Sequence, residues 1–81
     1  MKEIEFNVVK NIGVIGNKGD WSFELNLVSW NKNNPKFDLR SWTDDHKKMS
    51  KGVTLTKEEM LSLKELLNKI NIEEEIDNSN N

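Results

Sequence analysis

The segment WSFELNLVSW, residues 21–30, alternates along its whole length. Trp21, Phe23, Leu25 and Leu27 share one parity, and Ser22, Glu24, Asn26, Val28 and Trp30 share the other. A period of two residues is the mark of a strand with one apolar face. PKFDLRSWT, residues 35–43, alternates in the same way. Phe37 and Leu39 point one way; Lys36, Asp38, Arg40 and Trp42 point the other. The turn NKNNP, residues 31–35, joins the two segments. So short a connection leaves no room for a crossover, so the two strands run antiparallel.

The rest of the chain extends this pair. IEFNVVKNIGVIG, residues 4–16, is rich in Ile, Val and Phe and predicts a first strand. Its parity slips between Val8 and Val9, and Gly13 lies inside it, so a bend or bulge is expected there. GNKGD, residues 16–20, is a turn signal. TDDHKKMSKG, residues 43–52, reads as a polar loop, and GVTLT, residues 52–56, as a short fourth strand. Thr56 and Glu59 have the spacing of a capping box, in which each satisfies a free backbone donor of the other. Met60, Leu63, Leu67 and Ile70, widened by Leu66, form the apolar stripe of the helix that follows. That stripe is core or dimer interface rather than a cofactor site. The expected class is α+β: a four-stranded curved antiparallel sheet followed by one C-terminal helix, ββββα, in a helix-mediated homodimer. Residues 1–72 form the domain. Residues 73–81, acidic and Asn-rich, are expected to be a disordered tail.

One helix covers only part of one sheet face. The other face is expected to stay open, carrying Trp30, Lys36, Arg40 and Trp42. Parity assigns Trp21 to the core.

An 81-residue chain fits one domain with a modest core. It has no cysteine, so no disulfide or thiolate metal site can staple it, and oligomerisation is the remaining common reinforcement. The acidic N-terminus does not read as a signal peptide, and no run approaches the roughly 20 apolar residues that cross a bilayer. The expectation is a soluble cytoplasmic protein. The formal net charge is −2, but residues 71–81 carry four carboxylates and no base. Between Lys32 and Lys51 there are six bases against three acids. Such a stretch is usually a solvated loop, yet phosphates respond to the local field.

Catalysis finds little support. His46, the one histidine, sits in a charged loop beside Asp44 and Asp45 and reads as an exposed loop residue. The three do not have the spacing of a known metal site, and NKGD lacks that of a phosphate loop. The stronger signal is aromatic rings among bases. Rings stack on unpaired nucleobases while Lys and Arg track the phosphates. The competing reading makes the tryptophans packing residues and pairs Lys36 and Arg40 with Asp38 or Glu24.

PKFDLRSW, then MSKGVTLTKEEM leading into an amphipathic helix, resembles the transcriptional positive cofactor four family. KGDWSFELNLVSWN brings the likeness closer to its bacterial YdbC-type branch. The resemblance spans roughly residues 4–70. It implies the sheet-and-helix fold, a homodimer, and sequence-tolerant binding of single-stranded DNA, with roles in transcription, replication or repair and no enzymatic activity. Carried over by position, Arg40 meets the nucleic-acid backbone and Trp42 stacks on a base. Lys32, Lys36 and Lys51 meet phosphates. Trp30 shares their face, and Lys48, in a loop of variable length that also holds Lys47, is the seventh expected contact. The eukaryotic coactivators' serine-rich N-terminal region has no counterpart here, and the pattern does not explain the acidic tail. RNA is a possible alternative ligand, transcription or replication proteins are possible further partners, and no cofactor, catalytic residue or metal is implied. A second reading is a protein-interaction module that docks a partner on the open sheet face or the edge strands.

Overall fold

Two tight turns convert the alternating segments into a meander. The computed structural model describes residues 4–79. Strands β1 (Phe6–Lys18), β2 (Trp21–Trp30), β3 (Lys36–Thr43) and β4 (Val53–Leu55) pair antiparallel in that order. Gly19 and Asp20 join β1 to β2, with Gly19 at φ 59°, a left-handed conformation that glycine adopts without strain. Asn31 and Lys32 are also left-handed, and Asn33 N donates to Trp30 O at 2.9 Å, which closes the turn after β2.

The bend expected in β1 is present three times. The register against β2 shifts at Val8/Lys10, Asn11/Gly13 and Val14/Gly16. Each shift leaves one residue without a cross-strand partner: Val9, Ile12 and Ile15. Bulges increase local twist, so the repeated insertions coil β1 against its neighbour.

Cross-strand pairing sorts the sheet into two faces. Phe6, Val8 and Asn11 share a face with Trp30, Val28 and Asn26, and that face continues through Lys36, Asp38, Arg40 and Trp42 to Thr54. The other carries Trp21, Phe23, Leu25 and Leu27, then Phe37 and Leu39, then Val53 and Leu55. Burial is distributed against the sequence expectation. All the fully enclosed side chains, Trp42, Val28, Asn26 and Asp38, belong to the first, polar face, together with the nearly enclosed Glu24. Trp21 and Phe23, on the apolar face, are 38% and 39% exposed. The face expected to be open is therefore the enclosed one, and Trp21 is not a core residue of the single chain. Two things cause this: the coiled β1 brings Phe6 against Trp42, and the β3–β4 loop brings His46 against the same ring.

Helix α1 (Lys57–Lys69) starts at the expected capping box. Glu59 N donates to Thr56 Oγ1 at 3.1 Å, and Thr56 N donates to Glu59 Oε1 at 2.8 Å. It leans on the β3–β4 edge and buries none of its residues. Between it and Phe37 lies an apolar recess of about 490 Å³ that Met60, Leu61, Leu63 and Leu67 also line. The radius of gyration is 15.2 Å, against about 12 Å for a compact chain of this length. The chain is thus extended, and α1 covers only part of the apolar face.

The expectation of one helix and a disordered tail is corrected. Helix α2 (Ile72–Ser79) occupies most of residues 73–81; the last two lie outside the described residues. Asn71 Oδ1 accepts from Glu74 N at 3.0 Å and caps the new helix. Glu73, Glu74 and Glu75 fill its first turn, where negative charge complements the helix dipole. No helix among the described residues is long and apolar enough to cross a membrane.

Candidate nucleic-acid interface

The polar face is built around a buried ion pair. Arg40 Nε donates to Asp38 Oδ2 at 2.6 Å and Nη2 to Asp38 Oδ1 at 2.8 Å. Both members project from β3 two residues apart, so the strand's own pleat places them side by side. The Asp38 side chain is fully buried, and Arg40's is 14% exposed. Thr54 Oγ1, across on β4, donates to Asp38 Oδ1 at 3.1 Å. The Arg40 guanidinium lies 4.6 Å from the centre of the Trp30 ring, within cation–π range. Gly52 crosses directly above: a Cβ there would collide with the Leu39 carbonyl oxygen and with Arg40 Cβ. This close approach is why a glycine follows Lys51.

A second polar cluster centres on Glu24. Asn11 Nδ2 and Asn26 Nδ2 each donate to Glu24 Oε1 at 3.0 Å, and His46 Nε2 lies 2.9 Å from the same oxygen. Burial raises the Glu24 pKa, but hydrogen bonds from His46, Asn26 and Ser22, with the His46 charge, outweigh it and hold the carboxyl below its ordinary value. His46 is held at φ 57°, uncommon for a residue with a side chain. Its contacts to Glu24 and Trp42 fix it there. It is a half-buried anchor of the loop, not the free loop histidine expected. Asp45 fixes the same loop by accepting from Lys47 N and Thr43 Oγ1, which hold its pKa down.

The expected contact residues divide into two groups. Trp42 is enclosed, with Phe6 at 5.3 Å and His46 at 5.4 Å between ring centres, so it offers no free ring to a base. Arg40 is committed to Asp38 and is not a free phosphate clamp. In the single chain, then, Trp42 packs inside the face, and Arg40 pairs with Asp38 along its own strand rather than across strands. Trp30, by contrast, is only half-buried. It lines an open recess of about 350 Å³ with Asn33, Asn34, Lys36 and Thr54. Lys36, at the start of β3, is exposed beside it; Lys51 is exposed in the segment before β4. Lys32, at the hairpin tip, is 3.9 Å from Glu5 with both side chains mostly in solvent, an arrangement worth little. Lys48 lies apart, in a loop recess shared with Lys47, Asp20, Asp44 and Asp45. The structure therefore gathers Trp30, Lys36 and Arg40 at one site and leaves Lys48 elsewhere. Phe6, Asn33, Asn34, Thr54 and His46 join the face without having been expected there. For Phe6 a signal existed, since its alternation with Val8 already placed it on a definite face.

No group of three or more potential metal ligands occurs among the described residues. A family described as Transcriptional Coactivator p15 (PC4) matches residues 17–66, which contain all seven of the expected contact positions. A protein of Treponema pallidum (strain Nichols), described only as uncharacterized, is 40% identical over 72 residues, covering 88% of this chain and 85% of the relative.

Proposed function

Because the chain belongs to the Transcriptional Coactivator p15 (PC4) family, we propose that it binds single-stranded DNA as a homodimer, with little regard for sequence. The observation that carries this reading is the Trp30 recess, where a half-buried ring lies beside Lys36 and uncommitted amides. A ring there stacks on an unpaired base, and Lys36 and Lys51 neutralise neighbouring phosphates. Lys32 and Lys48 extend the electropositive track at longer range. Arg40 and Trp42 act behind the surface: Arg40 supports Trp30, and Trp42 holds the face closed. The process served is transcription, replication or repair, and no step of the proposal calls for catalysis.

The exposed apolar face supports the homodimer. Trp21, Phe23, Val53, Leu61, Leu66, Leu67 and Ile70 are each more than a third exposed. Exposed apolar residues in such number mark an interaction site where they form one patch. The second copy is the proposed occupant because a two-fold interface needs only one patch, used by both copies, and the apolar stripe on α1 supplies such a patch. The alternative remains a protein-interaction module that docks a partner on the Trp30 face or the edge strands, and an absence of oligonucleotide binding would favour it.

Binding is tested by fluorescence anisotropy of a labelled oligo-dT. Trp30→Ala should cost about 1–3 kcal/mol of affinity. Lys36→Ala should weaken binding and lower the salt slope by about one. Unchanged affinity in both variants would remove this recess from the site.

A further inference from the structure

The recess beside Trp30 has more chemistry than stacking requires. Arg40 occupies one side of the ring and Phe6 tilts against it at 6.0 Å, so an incoming group meets only what remains. Around that opening stand two asparagine side chains, Asn33 and Asn34. Neither amide makes a hydrogen bond within the described residues, although the backbone of Asn33 is fixed by Trp30 O and by Ser29 Oγ, which donates to Asn33 O at 2.6 Å. Thr54 donates its hydroxyl hydrogen to Asp38, which leaves its oxygen as an acceptor.

We propose that this recess takes an unpaired nucleobase and binds its Watson–Crick edge through Asn33 and Asn34. The inference rests on the single-strand reading above and names how that site tells single from paired strands. Every base presents a donor and an acceptor side by side on this edge. An asparagine amide offers one acceptor and one donor group. Turned over, it matches thymine N3–H and O4 as well as cytosine N3 and N4–H₂. The site therefore accepts any base, and it rejects a base whose edge is taken by a partner strand. Stacking alone gives no such rejection at a helix end, where a ring face is open. Splayed bases are commonly recognised through stacking and edge contacts together.

The test compares oligo-dT with the same oligomer built from N3-methylthymidine. Methylation removes the N3–H donor and blocks the edge, while rings and phosphates remain. Wild-type protein should bind the methylated strand about three- to tenfold more weakly, as expected for one or two lost hydrogen bonds. Asn33→Ala/Asn34→Ala, altering two exposed positions, should bind unmodified oligo-dT at the weaker level and no longer distinguish the two strands. Equal wild-type affinity for both strands would overturn edge recognition and leave the single-strand reading intact. Binding to neither strand would overturn both.

Discussion

Arg40→Ala isolates what the buried pair contributes. The substitution strands the fully buried Asp38 carboxylate with Thr54 as its one remaining side-chain donor among the described residues. Removing one partner of a buried ion pair costs about 3–5 kcal/mol, because the other charge is left uncompensated. A domain of 81 residues has about 4–12 kcal/mol in all, at roughly 0.05–0.15 kcal/mol per residue. The variant should therefore lose a large share of its stability, measured by urea unfolding at one fixed protein concentration, since an oligomer's midpoint shifts with concentration. Neutralising the stranded group should recover part of the loss, so Asp38→Asn/Arg40→Ala should unfold at a higher urea concentration than Arg40→Ala alone. An Arg40→Ala protein within about 1 kcal/mol of wild type would refute the reasoning, as that is the scale of an ordinary substitution. Arg40 would then be a solvated contact residue after all.

Glu24 predicts an acid-side loss of stability. Its folded pKa lies below the ordinary 4.5, so its contribution is present above that value and is lost as pH falls through the folded pKa. Glu24→Gln should flatten the stability profile below about pH 4.5, and an unchanged profile in thermal melts would show that other carboxylates set it. Gly52→Ala forces a methyl against the Leu39 carbonyl and Arg40 Cβ, and should cost about 1–3 kcal/mol by overpacking. A melting temperature equal to wild type would mean that the Lys51–Gly52 segment moves aside freely.

Much of the fold was legible because strand parity and capping are local. The alternation in residues 21–30 and 36–43 reappears pair by pair in the β2–β3 register, and the Thr56–Glu59 box is present as spaced. Parity says which side chains share a face; it does not say which face is enclosed. That depends on the coil of β1 and on where residues 43–50 fold, both long-range effects. Trp42 and Arg40 were placed on the correct face and assigned the wrong exposure for this reason. The helix of residues 72–79 was missed although its cap was in view. Asn71 and Glu74 have the same three-residue spacing as Thr56 and Glu59, a local signal that the acidic, Asn-rich composition of the segment masks.

The most direct test of the account is a salt titration of wild-type protein on labelled oligo-dT, with unlabelled duplex of equal length as competitor. The account predicts affinity that falls steeply with salt, because phosphate contacts release counterions, and a duplex that competes poorly, because a duplex exposes a base face only at its two ends. Duplex competing as well as single strand, or no binding at low salt, would contradict it.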